Sequence, residues 1–97
     1  MSIGAIGVIS VIANGLPDKM SSLINFCITG DYVSARKTQY QLVEIIGSIF
    51  EEGNPAGIKA VLNHQKITAK HVRLPLMQVS NKLDQKIQTL CDKILIV

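Results

Sequence analysis

Gly4-Ala5-Ile6-Gly7-Val8-Ile9-Ser10-Val11-Ile12-Ala13-Asn14 is the stretch on which the fold turns. It is an almost unbroken apolar run rich in β-branched residues, opened by glycines and closed by Asn14-Gly15 and then Pro17. That pattern fits a β-strand buried on both faces, as in a parallel sheet covered by helices. No second stretch of comparable quality follows, so the run reads as the last strand of a sheet whose other strands lie elsewhere. It does not read as a secretory leader, because no Lys or Arg precedes Lys19. Nor does it read as a membrane span, which needs roughly 20 apolar residues without interruption. Here glycines, Ser10 and Asn14 break the run.

Downstream, the periodicity changes from strand to helix. Pro17 suits a first helical turn, with Asp18 favoured at the positive end of the dipole. Met20, Leu23, Ile24, Cys27 and Ile28 then make one apolar stripe, and Gly30 is placed to end the helix. Asp31 can cap the next helix at once, so the two helices are expected to be antiparallel neighbours. That second helix is predicted from Tyr32 to Glu51. Its expected face holds Ala35, Leu42, Val43, Ile46, Ile49 and Phe50, widened by Tyr40 and Ile45. Gly47 inside it costs up to about 1 kcal/mol relative to alanine and suggests a close helix contact.

Glu51-Glu52-Gly53 breaks the periodicity, and Asn54-Pro55 is expected to start a third helix, Asn as cap and Pro at the first position. Ile58, Val61 and Leu62 form its apolar face. Residues 65–72 read as an irregular link. Pro75 pushes Leu74 away from helical geometry, and Ser80 caps a last helix carrying Leu83, Ile87, Leu90, Cys91, Ile94 and Leu95. The chain closes on the apolar pair Ile96-Val97. The expectation is one partial domain, mainly α, in which one N-terminal β-strand feeds about four helices.

Composition narrows the function. Ninety-seven residues make one domain at most, and 47% apolar residues suffice for a core. The net charge of +3 is dispersed along the chain, with two Phe and two Tyr. A nucleic-acid site would want clustered basic residues and stacking aromatics, so no nucleic-acid partner is expected. A membrane-surface role would want the basic residues on one helix face, which they do not share. Cys27 and Cys91 both fall on apolar stripes and read as reduced core thiols of a cytoplasmic protein.

No catalytic set is complete. His64 and His71 have no cysteine or paired carboxylate at metal spacing. Glu51 and Glu52 are adjacent and so point in different directions. Gly4 and Gly7 do not make a dinucleotide fingerprint, and Ser10 lacks the flanking glycines of a nucleophile elbow. No cofactor or metal is expected. Lys59 stands apart from the other polar residues, because a desolvated lysine on an apolar helix can form a Schiff base. A lysine laid along apolar neighbours with its head in water is the preferred reading.

Three motifs, in order, resemble the dihydrodipicolinate synthase family. Residues 4–14 look like that family's eighth strand. Glu52-Gly53-Asn54-Pro55-Ala56-Gly57-Ile58-Lys59 and Arg73-Leu74-Pro75-Leu76 resemble its C-terminal helical segment. The resemblance implies a piece of a (β/α)₈ TIM barrel. Residues 1–30 would be the last βα unit and residues 31–97 the helical segment that follows. It implies a lyase of the pyruvate-dependent class I aldolases, which condenses pyruvate with aspartate semialdehyde through a lysine Schiff base in lysine biosynthesis. In the family that lysine lies on the sixth strand, the catalytic tyrosine on the fifth, and a threonine pair after the second. The resemblance reaches none of these strands, and Lys59 matches a different lysine, in the helical region. No catalytic residue carries over. One substrate-binding position does: Ile9, whose backbone carbonyl sits beside pyruvate in the family, at the strand end where barrel active sites form.

Two expectations follow. The first is that the chain is the C-terminal part of such an enzyme, inactive alone because the positioned groups that make the rate are absent. The second is a non-catalytic helical module acting by self-association. Either predicts a homo-oligomer, because an unpaired strand and uncovered helix faces drive association.

Overall fold

The computed structural model describes residues 1–96, and of Ile96 the backbone only. The expectation for the Ile96-Val97 end therefore lies outside the described residues. Four helices carry the fold: α1 (Pro17–Ile28), α2 (Tyr32–Phe50), α3 (Ala56–His64) and α4 (Asn81–Ile96), preceded by a 3₁₀ turn over Ile12–Asn14. The mainly helical expectation holds.

The N-terminal strand does not. Residues 5–10 have no regular structure, and no strand occurs among the described residues. The run ends instead in the 3₁₀ turn, closed by the Gly15 and Leu16 N–H groups donating to the Ile12 carbonyl at 3.0 and 2.8 Å. The physical reason is that a strand exists only through its ladder. No backbone group of residues 5–10 bonds to another backbone group among the described residues. The β-branched run has a strand's preference and no partner to pair with. Ile3, Ile6 and Ile9 accordingly stand in the open, Ile9 at 108% exposure.

α1 and α2 form a tight hairpin. Gly30 adopts φ +82°, a left-handed conformation that glycine alone takes without strain. Asp31 caps α2 by accepting from the Ser34 N–H at 3.1 Å, as its sequence position implied. Lys19 Nζ donates to Gln41 Oε1 at 3.2 Å. These residues stand at equal distance on either side of Gly30, which confirms the antiparallel pairing of α1 and α2.

The core lies where α2, α3 and α4 meet. Leu42, Ile45, Ile49, Val61, Ile87 and Cys91 are fully buried there, each aliphatic side chain contributing about 1.5–3 kcal/mol of burial. α1 packs on α2 and on the 3₁₀ turn, and is only half covered. Leu23 is buried, Met20, Ile24 and Cys27 are intermediate, and Ile28 is exposed.

α3 starts one residue later than its motif suggested. Pro55 occupies the cap position and Asn54 makes no capping hydrogen bond. α4 begins as expected: Ser80 Oγ accepts from the Leu83 N–H at 3.2 Å. Glu52 holds that cap from the other side, accepting from the Ser80 N–H at 2.7 Å and from its hydroxyl at 2.6 Å. The link over residues 65–80 is irregular, and side chains clip it to the bundle. Lys70 pairs with Asp84 at 3.0 Å, and Asn63 donates to the Thr68 carbonyl at 3.0 Å.

On α2 the expected face is too wide. Val43, Tyr40 and Phe50 are exposed, and Thr38 and Ser48 are buried in their place. Both hydroxyls are satisfied within the helix, donating to the Ser34 and Glu44 carbonyls at 3.0 and 2.9 Å, so their burial costs little.

Candidate functional site

Ile9 is the position that the sequence ties to substrate, and the structure leaves it exposed, outside the helical core. It lies in the irregular N-terminal segment, which runs beside α1. Between them is an open cleft of about 390 Å³, lined by Val8, Ile9, Met20, Leu23, Ile24 and Cys27 among others. The walls are mainly apolar, with Ser10 and Gln39 the polar side chains. Without a neighbouring strand, the Ile9 carbonyl faces no partner that would fix its direction.

Lys59 is half-buried, and its Nζ donates to the His71 carbonyl at 2.6 Å. It holds the 65–80 link against α3. That is a structural role, and it engages the amine that a Schiff base would need. His71 is exposed and meets the Gln78 side chain at 3.3 Å through Nδ1. His64 ends α3 and pairs with Asp92 of α4 at 2.7 Å. The two histidines therefore serve different clips and do not converge.

Glu51 and Glu52 also diverge. Glu51 pairs with Lys86 at 2.6 Å, while Glu52 binds Ser80. Hydrogen bonds from the Ser80 hydroxyl and then from its N–H hold the Glu52 carboxyl below its usual range. Cys91 is buried on α4, and burial, helped by the nearby Asp92 charge, pushes its thiol up to about 11. Such a thiol is inert, not nucleophilic. Cys27 is also free. No group of three or more His, Cys, Asp or Glu side chains that could hold a metal occurs among the described residues. Among the described residues, no helix is long and apolar enough to cross a membrane.

A second cleft, of about 140 Å³, opens between α2 and α4 against Tyr40, Glu44, Leu90 and Lys93. It holds one acid, one amine, the Tyr40 phenol and the Gln41 amide on a mainly apolar wall. Neither cleft assembles a base, a nucleophile and an oxyanion donor. What the described residues build is a helical core with an apolar segment outside it, residues 5–10 of which make no hydrogen bonds to other backbone groups among the described residues.

The chain resembles known proteins along nearly its whole length. A profile of the dihydrodipicolinate synthetase family matches residues 1–94. A 4-hydroxy-tetrahydrodipicolinate synthase of Methanococcoides burtonii is 44% identical over a stretch covering 86% of this chain and 30% of that enzyme. Its counterpart from Parabacteroides distasonis is 42% identical, covering 79% of this chain and 26% of that enzyme. A crystal structure of dihydrodipicolinate synthase superposes with a TM-score of 0.85 at 31% identity, covering 94% of this chain and 32% of that one. A structure described as the first monomeric dihydrodipicolinate synthase variant gives 0.84 at 30% identity, covering 98% of this chain and 30% of that one. The chain thus spans about 30% of the length of the curated relatives it matches. With a family match across nearly all its residues and a fold that superposes on those enzymes, the chain belongs to the dihydrodipicolinate synthetase family.

Proposed function

We propose that these residues are the closing, C-terminal part of a pyruvate-dependent lyase. Residues 1–30 supply the last strand and helix of a (β/α)₈ barrel, and residues 31–97 the helical segment that braces it. The whole enzyme would condense pyruvate with aspartate semialdehyde through a lysine Schiff base, in the cytoplasm, as a homo-oligomer and as a step of lysine biosynthesis. Ile9 is the residue of this chain at the pyruvate site, acting through its backbone carbonyl.

One observation carries this reading: the strongly apolar segment left outside the helical core, residues 3–10, is the one that resembles the family's eighth strand. Seated between two barrel strands, its backbone groups would be paired and Ile3, Ile6 and Ile9 would leave water. The free thiols suit a reducing compartment.

The chain on its own is not a catalyst. A Schiff-base lysine needs desolvation or a neighbouring cation, and the Lys59 amine is engaged by the His71 carbonyl. Borohydride reduction in the presence of pyruvate, read by intact mass, tests this. No adduct is expected. A stoichiometric adduct would overturn the reading, and peptide mapping would then show which lysine carries it.

A further inference from the structure

The cleft between α2 and α4 carries two opposite charges that do not pair. Tyr40, Gln41 and Glu44 of α2 face Leu90, Lys93 and Ile94 of α4 across it. Glu44 and Lys93 are both exposed, and among the described residues neither forms an ion pair, with the other or with any third group. Elsewhere α4 uses its charges in direct pairs: Asp84 with Lys70 at 3.0 Å, Lys86 with Glu51 at 2.6 Å and Asp92 with His64 at 2.7 Å.

Between the two charges the wall is hydrocarbon. Leu90 and Ile94 stand one turn apart on α4; Ile94 belongs to the core and Leu90 packs against it. Tyr40 and Glu44 stand one turn apart on α2. Gln41 adds a fixed polar group. Its Oε1 accepts from Lys19 Nζ at 3.2 Å, which leaves the amide N–H groups as the remaining donors. The cleft holds about 140 Å³, close to the roughly 150 Å³ of a cavity that takes up benzene, so it has room for a hydrocarbon group of about six carbons or fewer.

That charge pattern selects the ligand. A small hydrocarbon amine would satisfy Glu44 and meet a like charge at Lys93. A small fatty acid would satisfy Lys93 and meet a like charge at Glu44. A molecule that carries both charges satisfies both residues.

We propose that this cleft binds a small zwitterion, an ammonium and a carboxylate on one short hydrocarbon body, of the class of the aliphatic amino acids. Its ammonium lies against Glu44 with the Tyr40 ring beside it. Its carboxylate takes Lys93 and the Gln41 amide N–H, and its hydrocarbon covers Leu90 and Ile94. The inference is independent of the lyase reading. The ligand is small and the cleft is open to water, so the expected dissociation constant is on the order of a millimolar.

Titration of the full chain with L-leucine from about 0.1 to 20 mM, a range that brackets such a constant, tests it through amide NMR shifts. Saturable shifts are expected in α2 around Tyr40 to Glu44 and in α4 around Leu90 to Ile94. Isoamylamine, which is leucine without its carboxylate, and isocaproate, which is leucine without its amine, should each bind about tenfold more weakly. Glu44→Gln and Lys93→Gln should each weaken leucine binding by about tenfold. Both positions are exposed and glutamine is a good helix former, and circular dichroism confirms helicity for each variant. The two variants should also cross over. Lys93→Gln should strengthen isoamylamine binding, and Glu44→Gln should strengthen isocaproate binding, because each removes the repelling charge. A merely structural effect of either substitution would not reverse with the ligand. Lys82→Gln, on α4 outside the cleft, should change nothing. Absence of saturable shifts across the range would overturn the proposal. So would equal binding of leucine and either analogue, failure of the crossover, or shifts confined to the cleft beside Val8 and Ile24.

Discussion

Gly57, in the first full turn of α3, lies directly against the backbone of Ile49 near the end of α2. A Cβ at position 57 would collide with the Ile49 carbonyl oxygen and stand 2.5 Å from its Cα. Main chain, not a side chain, blocks the site, so neither partner can turn aside. The two helices meet where Glu51 to Asn54 reverse the chain, and the contact sets how close α3 comes to α2. Gly57→Ala is therefore expected to destabilise the chain by about 1–3 kcal/mol or more, the range for overpacking. Thermal melting would show it as a loss of about 4–8 °C per kcal/mol for a domain of this size. Gly47→Ala is the control, since its Cβ meets open space. An unchanged melting temperature for Gly57→Ala would mean that α3 stands further off than described.

The Glu52–Ser80 clip makes stability fall in acid. Its carboxyl is held below the usual range in the folded chain by hydrogen bonds from the Ser80 hydroxyl and N–H. A carboxyl whose folded pKa is lowered stabilises the fold above its unfolded pKa, and loses that contribution as pH falls through the folded value. Asp31, which caps α2, is lowered for the same reason by Ser34. Melting temperature should thus be flat near neutrality and decline below about pH 4.5, the ordinary value for Glu. Glu52→Gln should flatten part of that decline. Ser80→Ala removes the cap of α4 and the hydroxyl half of the clip, leaving the backbone N–H to Glu52, and the lost cap should cost about 1 kcal/mol at neutral pH. Parallel acid profiles for Glu52→Gln and the parent chain would count against the clip.

Cys91 and Cys27 should react very differently. Burial is the first cause of the raised Cys91 value of about 11, and Asp92 adds to it. Cys27 sits on the half-covered stripe of α1. An alkylating reagent in mildly alkaline buffer is expected to modify Cys27 in the native chain, and Cys91 only with unfolding. The sign for stability follows from the raised value. The Cys91 thiol contributes fully below its unfolded value near 9.0, and the contribution is lost as pH rises towards 11. Cys91→Ala should remove that alkaline loss while lowering stability at neutral pH through the cavity it leaves. Equal labelling rates at the two cysteines would show that α4 opens readily.

Helices were legible because their signals are local. Asp31, Gly30 and Ser80 each act within four residues of their own position, and each does what its type implies. The strand was not legible as an outcome, because a strand's ladder belongs to two segments and this chain holds one. Val43, Tyr40 and Phe50 were expected inward for a related reason: periodicity marks an apolar face without saying which molecule covers it. Gly57 carries the close helix contact that was expected of Gly47, and spacing alone cannot tell them apart, since the blocking atom is on another helix. Asn54 lost the cap because Pro55 took the position itself. For the site, Ile9 and Lys59 were separable only through resemblance. Spacing on an apolar helix made Lys59 stand out among the polar residues, and the geometry gives its amine the His71 carbonyl.

The N-terminal segment should be dispensable for folding and decisive for solution behaviour. Residues 5–10 make no backbone hydrogen bonds to other backbone groups among the described residues. Ile3, Ile6 and Ile9 all stand almost wholly in solvent. The buried core starts at Ile12, anchored by the 3₁₀ turn and by Gln65 Nε2 donating to the Gly15 carbonyl at 2.7 Å. Ser10 belongs with that turn, since its hydroxyl accepts from the Ala13 N–H at 3.3 Å. Removing residues 1–8 is therefore expected to leave the cooperative melting of the four helices within a few degrees of the parent, while reducing aggregation at high concentration. Extending the cut through Ile12 and Leu16 should do the opposite and lower stability by several kcal/mol, as two buried side chains leave the core. If the shorter cut already abolished cooperative melting, residues 3–10 would have to pack on α1 more closely than the open cleft beside Met20 and Ile24 allows.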